Sequence, residues 1–421
     1  MKIKINIADV MILFGVLTLL FYSSDPVERT DSFRYLSGSL LDPPMYTKII
    51  SILQKLFGTL KSVIVFQTLS IGFGIIYFTR TMSNIFVLDN ITKILVSFFL
   101  FIPILQFYNN LLTEALGYAF SLLFVSLSIK LIYNFNIKNL IWSMIFAIAL
   151  LLTRNQFIFL YPVILLFFLG IFILNISKKG IAKLLISSFF IILIAHNSLI
   201  FLNTYNNQNS FNDKYVNKDD TWTESLTYVT LGPSYFLYID SIYISNTKDV
   251  RLFENQNIQK TLTKIFDEMN ARQSLIKYYD GRGHFGKSFS DIRDFSNPLL
   301  IELATQKNTS LSNLKREIYL TLIYANFTKY INQIFKKFYD STWLFVMIPF
   351  FMLIAGFIAF LKNKSRFSLL IIFLSIFTLG NHSVVYLFGR VQPRYLIYTD
   401  FILIVFIFIL INFFLQKKNK I

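Results

Sequence analysis

Long apolar runs separated by short polar breaks dominate the pattern of this chain. They cover residues 7–22, 62–79, 94–108, 115–133, 140–153, 157–174, 184–202, 342–361, 367–388 and 395–415. At about 1.5 Å per residue, such a run carries a helix through most or all of a hydrocarbon core of about 30 Å. The ten runs therefore predict ten membrane-spanning helices. The stretch 140–174 is interrupted only by Arg154, Asn155 and Gln156. It is too long for one crossing and predicts a tight pair of helices. The first run follows Lys2 and Lys4, a layout shared with secretory signal peptides. No small-residue cleavage site ends it, so it reads as a retained first helix.

Two polar segments stand apart, 25–61 and 203–340. In the first, residues 44–60 place Ile49, Ile50, Leu53, Leu56 and Phe57 on one helical face and Lys48, Gln54 and Lys55 on the other. This predicts an amphipathic helix lying at the membrane surface, although an ordinary packed helix makes the same pattern. In the second, Leu252, Ile258, Leu262, Ile265, Phe266, Met269, Leu275 and Ile276 recur at helical spacing within 250–279. The glycines at 281, 283 and 286 then mark a loop, and a last helix is expected over 311–339. The fold class is thus an all-α polytopic membrane protein with about ten transmembrane helices, amphipathic helices in the first outer loop and one mainly helical outer domain. Residues 1–202 hold helices one to seven, 203–340 the outer domain, and 341–421 helices eight to ten.

Composition agrees with that pattern. Of 421 residues, 55% are hydrophobic and 48 are Phe, too apolar for a single soluble core. There is no Cys, which excludes disulfides and thiolate metal sites and is silent on redox compartment. The net charge of +17 does not indicate nucleic acid, because the basic residues are not gathered into an aromatic-lined groove. With a cytoplasmic amino terminus, the inner segments collect fifteen basic residues, among them Arg80, Lys93, Lys130, Lys178, Lys179, Lys183, Lys362, Lys364 and Arg366, against Asp9 and Asp89 alone. That asymmetry orients the chain with both termini in the cytoplasm. Segment 203–340, with 17 basic and 15 acidic residues, lies outside.

The same orientation puts Asp31, Glu114, Arg154, Arg390 and Arg394 at outer junctions. The residues there form short motifs: Asp31-Ser32-x-x-Tyr35 after span one, Pro43-Pro44-x-Tyr46 leading into the surface helix, and Thr113-Glu114 opening span four. Arg154 precedes Tyr161-Pro162, and Arg394-Tyr395 opens the last span. Taken together these resemble the GT-C class of membrane glycosyltransferases. The resemblance covers most of the membrane part in short motifs and leaves 203–340 almost untouched. The chain departs from the family where Asp31 is not followed by a second acid, and Asp25 and Glu28 are rival acids nearby.

What the resemblance implies is specific. The donor is a polyprenyl-phosphate-linked sugar, the acceptor a glycan, lipid or protein hydroxyl, and the site faces the periplasmic or extracellular side of a bacterial inner membrane. Asp31 takes the general-base role. Tyr35, Tyr46, Glu114, Arg154, Arg390, Arg394 and Tyr395 contact substrate, the arginines because a planar guanidinium matches phosphate oxygens with two parallel hydrogen bonds. Some members of the class use a divalent ion and others do not; here Mg or Mn would be held by Asp31 and Glu114. Plainer readings stand beside each role. Asp31 suits an N-cap, Glu114 suits a first helical turn, and an interfacial Arg commonly snorkels to headgroups. Two other functions share the membrane pattern: an O-antigen polymerase or ligase, which does not need an acid directly after span one, and a transporter or lipid scramblase, which tends to carry ionisable residues at mid-membrane.

Overall fold

The computed structural model describes residues 6–22, 26–28, 32–37, 43–175, 179–207, 234–272, 285–388 and 393–418. Among them there is no strand, only an isolated bridge between Val27 and Asn110. Six helices are long and apolar enough to cross a membrane: Lys61–Phe86, Glu114–Tyr133, Asn155–Leu174, Gly180–Asn203, Val346–Asn363 and Arg366–Tyr386. The apolar helices Ile7–Tyr22, Asn90–Phe101, Ile137–Thr153 and Leu396–Phe408 are shorter. The chain is an all-α membrane-integral protein.

It divides into two units. The first comprises Met1–Phe211, Leu344–His382 and Pro393–Ile421; the second comprises Asn212–Trp343 and Ser383–Gln392. In chain order the first contains α1 (Ile7–Tyr22), the short α2 (Ser32–Ser37), α3 (Pro44–Phe57), α4 (Lys61–Phe86), α5 (Asn90–Phe101), α6 (Glu114–Tyr133), α7 (Ile137–Thr153), α8 (Leu160–Leu174) and α9 (Lys179–Asn207). The second contains α10 (Ser234–Ile244), α11 (Gln256–Ala271), α12 (Phe285–Gln306) and α13 (Leu311–Ala325). Helix α14 (Phe327–Asn363) and α15 (Arg366–Phe388) each contribute to both, and α16 (Pro393–Lys418) belongs to the first.

Helix α6 is the axis of the first unit. It is buried along almost its whole length, and α4, α7 and α16 pack on it. Burial on every side explains why its apolar residues show no single face. Small residues let neighbours approach: a Cβ on Gly74 would sit 3.2 Å from the Ala119 carbonyl oxygen, and one on Gly117 2.6 Å from Tyr398 Cε1. At the carboxyl end of α6, Lys130 lies 3.9 Å over the Tyr77 ring. There Arg366 also donates to the Tyr133 carbonyl at 2.6 Å. On α4, one turn beyond Tyr77, Arg80 pairs with Asp9 at 2.7 Å. The glutamate end of α6 is about 30 Å away by helical rise.

In α3, Tyr46 and Ile50 are buried, and Leu56 and Phe57 are 69% and 64% exposed. Two local expectations are corrected. In the second unit the helix expected over 250–279 begins at Gln256, where Asn255 caps it by accepting from the Asn257 and Ile258 amides, and Leu252 stays outside the core at 50% exposure. Leu275 and Ile276 lie outside the described residues. The helix expected over 311–339 is broken at Asn326. Its side-chain amide donates to the Leu322 carbonyl, Ser245 Oγ and Asp249 Oδ2 at 3.2–3.3 Å, and α14 then continues as far as Asn363.

Candidate functional site

The amino-terminal end of α6 gathers polar side chains from distant parts of the chain. Glu114 is the first residue of α6, 1% exposed, where the helix dipole favours a negative charge. Arg154 sits between α7 and the 3₁₀ turn Asn155–Phe159, in extended backbone with φ −158° and ψ 138°. That break in helical geometry turns its side chain back across the bundle. Arg154 Nη1 lies 3.0 Å from Glu114 Oε1, 3.1 Å from Thr113 Oγ1 and 3.0 Å from the Tyr398 hydroxyl. Three acceptors around one nitrogen fix the guanidinium, and its side chain remains 17% exposed. Tyr398 is fully buried, its ring 4.9 Å from that of Phe157. It fits against α6 because residue 117 is Gly.

The first loop is attached to the same end. Val27 exchanges backbone hydrogen bonds with Asn109 and Leu111 at 2.9 and 3.1 Å, and Ser32 Oγ donates to the Leu111 carbonyl at 2.9 Å. Tyr35 and Tyr46, both buried, meet edge to face at 5.1 Å. Gln67 of α4 joins these parts. Its amide nitrogen donates to the Tyr46 hydroxyl at 3.2 Å and to the Leu112 carbonyl at 3.1 Å, beside Thr113 and Glu114. Burial first, then Tyr35 and the Glu114 carboxylate, hold the Tyr46 hydroxyl well above its usual pKa against the opposing pull of Gln67. Tyr46 is therefore a protonated donor at any physiological pH.

Of the residues singled out from sequence, Tyr35, Tyr46, Glu114 and Arg154 are thus brought into one neighbourhood. Asp31, Asp25 and Arg390 lie outside the described residues. Arg394 and Tyr395 open α16, one turn before Tyr398, and their side chains are likewise not described. Glu28 is exposed. Asp31, which with Glu114 would hold a divalent ion, lies outside the described residues; among those that are described, Glu114 Oε1 has a guanidinium at 3.0 Å and no group of three or more His, Asp or Glu gathers.

Several participants were missed. Gln67, Tyr398, Asn381, Thr399 and Asp400 lie inside apolar runs. Gln156 bonds Asn381, which donates to Thr399 at 3.0 Å, and His382 pairs with Asp400 at 3.1 Å. Tyr161 and His196 meet at 2.5 Å. A lone polar residue in an apolar helix carries one usable signal, its desolvation cost, which predicts a partner without naming it. Comparison with models of protein families, with curated proteins and with solved structures finds no match to this chain.

Proposed function

We propose that this protein is a GT-C type membrane glycosyltransferase that moves a sugar from a polyprenyl-phosphate donor to an acceptor hydroxyl at the outer face of a bacterial cell membrane, in synthesis of a cell-envelope glycan. One observation carries the reading: the first-loop segment bearing Ser32, Tyr35 and Tyr46 is fastened to the chain that opens onto Glu114, where Arg154 and Tyr398 converge. Acid from the first loop and cation from a later junction are the two things this transfer needs at one place.

In the proposed reaction Asp31, next to Ser32, takes the proton of the acceptor hydroxyl. The freed oxygen attacks the anomeric carbon, the bond from that carbon to the phosphate oxygen breaks, and its electron pair leaves with the phosphate. Arg154, Arg390 and Arg394 stabilise the charge that develops there. Glu114 and Tyr398 orient Arg154, Tyr35 and Tyr46 pack the first loop against that end of α6, and Tyr395 contacts the substrate. The site opens outward, ten helices cross the membrane, and residues 203–340 lie outside.

Two experiments test this. Asn matches Asp in size and still caps a helix, so Asp31→Asn should fold normally and lose about a hundredfold to ten-thousandfold in transfer from a lipid-phosphate sugar. Near-normal turnover in Asp31→Asn with a dead Asp25→Asn moves the base to Asp25; activity in Asp31→Asn, Asp25→Asn and Glu28→Gln alike removes the mechanism. For orientation, the chain has no native Cys, so Asn257→Cys should react with an impermeant thiol reagent in intact cells and Asn419→Cys should not. The reverse pattern inverts the topology.

The Asp400–His382 pair between two apolar helices favours a second reading, a transporter, since ionisable residues inside spans commonly mark transport paths. Ion or sugar uptake by sealed proteoliposomes without sugar transfer would select it.

A further inference from the structure

Asp400 is placed where an acid is costly. It stands seven residues into α16, within the apolar stretch Leu396–Phe408, about 10 Å along the helix from Pro393. Its Oδ1 lies 3.1 Å from Nε2 of His382 on α15, a residue 1% exposed. Its side chain is nevertheless 28% exposed, and Oδ2 has no partner among the described residues. The pair has one sealed side and one open side: the imidazole holds one oxygen in place and the other is left to accept.

Helical periodicity sets this oxygen apart from the cluster around Arg154. Two residues separate Tyr398 from Asp400, about 200° around the helix. Tyr398 therefore faces Glu114 and Arg154 on one side of α16, and Asp400 faces away on the other at almost the same depth. Between them Thr399 is bonded to Asn381, and Asn381 to Gln156, so the backs of both sites are tied into one polar layer. The helix thus has a phosphate-suited cationic side and, opposite it, a hydrogen-bond acceptor.

We infer that Asp400, positioned by His382, is a second ligand subsite that accepts a hydrogen bond from a hydroxyl of an amphipathic, sugar-bearing molecule. This rests on the glycosyl-transfer reading, in which the molecule is the acceptor. His382 Nε2 already meets Oδ1 at 3.1 Å, which leaves Oδ2 to a neutral donor such as a hydroxyl. An open carboxylate oxygen at the edge of an apolar helix also needs a donor to offset its lost hydration.

The test uses the full chain in lipid nanodiscs and needs no transfer activity. Dicyclohexylcarbodiimide modifies accessible carboxyl groups in apolar surroundings, and peptide mass spectrometry reads each site. Asp9 and Glu114, each held by an arginine, serve as internal references, and Asp400→Asn identifies the labelled peptide. Asp400 should label faster than either reference. Octyl glucoside below its micelle concentration should slow that labelling about fivefold more than an alkane at the same concentration does, the ratio one net hydrogen bond gives. His382→Gln should keep the labelling and lose most of the protection, because the carboxylate is no longer aimed. Protection by dodecylammonium alone would overturn the inference in favour of a cation site. Equal protection by an apolar alkane would reduce it to simple occlusion and overturn it too, as would an unlabelled Asp400. A failed inference leaves the transfer assay with Asp31→Asn untouched, and a failed transfer assay leaves the protection result standing.

Discussion

Each unit of this protein buries an acid–base pair, and the two pairs are built differently. In the second unit Asp240 is met on one oxygen by Lys337 at 2.6 Å and on the other by Gln333 at 3.0 Å. Both charged side chains are sealed, at 2% and 1% exposure, under a core that includes Ile239, Ile242 and Ile318. In the first unit Glu114 is equally buried, but Arg154 is 17% exposed and shares its nitrogen among a carboxylate and two hydroxyls. A sealed pair with both oxygens matched can only hold structure together. A pair with an open cation and several alternative acceptors can loosen one bond to take a ligand oxygen and restore it afterwards. On the proposed reading, access to the cation is what distinguishes the pair at Glu114 from the sealed one, since the acids of both are equally buried.

The largest effect should come from breaking the sealed pair. Lys337→Met leaves an uncompensated carboxylate in the core and should destabilise the second unit by about 3–5 kcal/mol. The double variant Asp240→Leu/Lys337→Met removes both charges and should recover most of that loss, since apolar replacements of buried pairs are often neutral. Hydrogen exchange of α11 amides in the two variants checks it. A single variant as well protected as the wild type would mean that this pair is not sealed, and the contrast would collapse.

Next in size is the open pair. Arg154→Lys keeps the charge and loses the planar fork, so on the proposed reading folding should survive while affinity for a polyprenyl-phosphate donor falls by about 1–3 kcal/mol. Ligand-induced thermal shifts measure this. An unchanged shift would make Arg154 a structural tether like Lys337.

How much of this was legible in the sequence depends on where a residue stands relative to the apolar runs. Glu114 and Arg154 sit at run boundaries, where a charge is conspicuous and a common side of the membrane can be argued. Their meeting is consistent with that placement and was not derivable from it, because which junctions adjoin is a matter of helix packing. Gln67, Tyr398 and Asp400 are single polar residues inside runs that look uniformly apolar; their partners are set by the rotation of each helix about its axis, which a helix buried on all sides, such as α6, does not reveal through periodicity. The break at Asn326 was hidden for a related reason. Asn is an ordinary helix residue in a periodic stretch, and it interrupts the helix here through bonds to Ser245 and Asp249, some eighty positions earlier.

The smallest expected effect sharpens the comparison most, because it separates the parts of the open pair. Tyr398→Phe removes a single acceptor from Arg154 and leaves Glu114, Thr113 and the ring packing against Gly117 and Phe157 in place. Net hydrogen bonds are worth about 0.5–1.5 kcal/mol, and here the guanidinium keeps two other acceptors, so the stability loss should lie near the lower end. Function should respond differently. If the hydroxyl only fills space, donor affinity and turnover stay as in the wild type. If it aims Arg154 at the leaving phosphate, turnover drops several-fold with thermal stability almost unchanged, since losing an interaction that is stronger in the transition state lowers the rate without weakening the ground state. Parallel thermal unfolding and transfer assays on Tyr398→Phe read both quantities, and an equal, small change in each would place Tyr398 with the structural residues of the sealed pair.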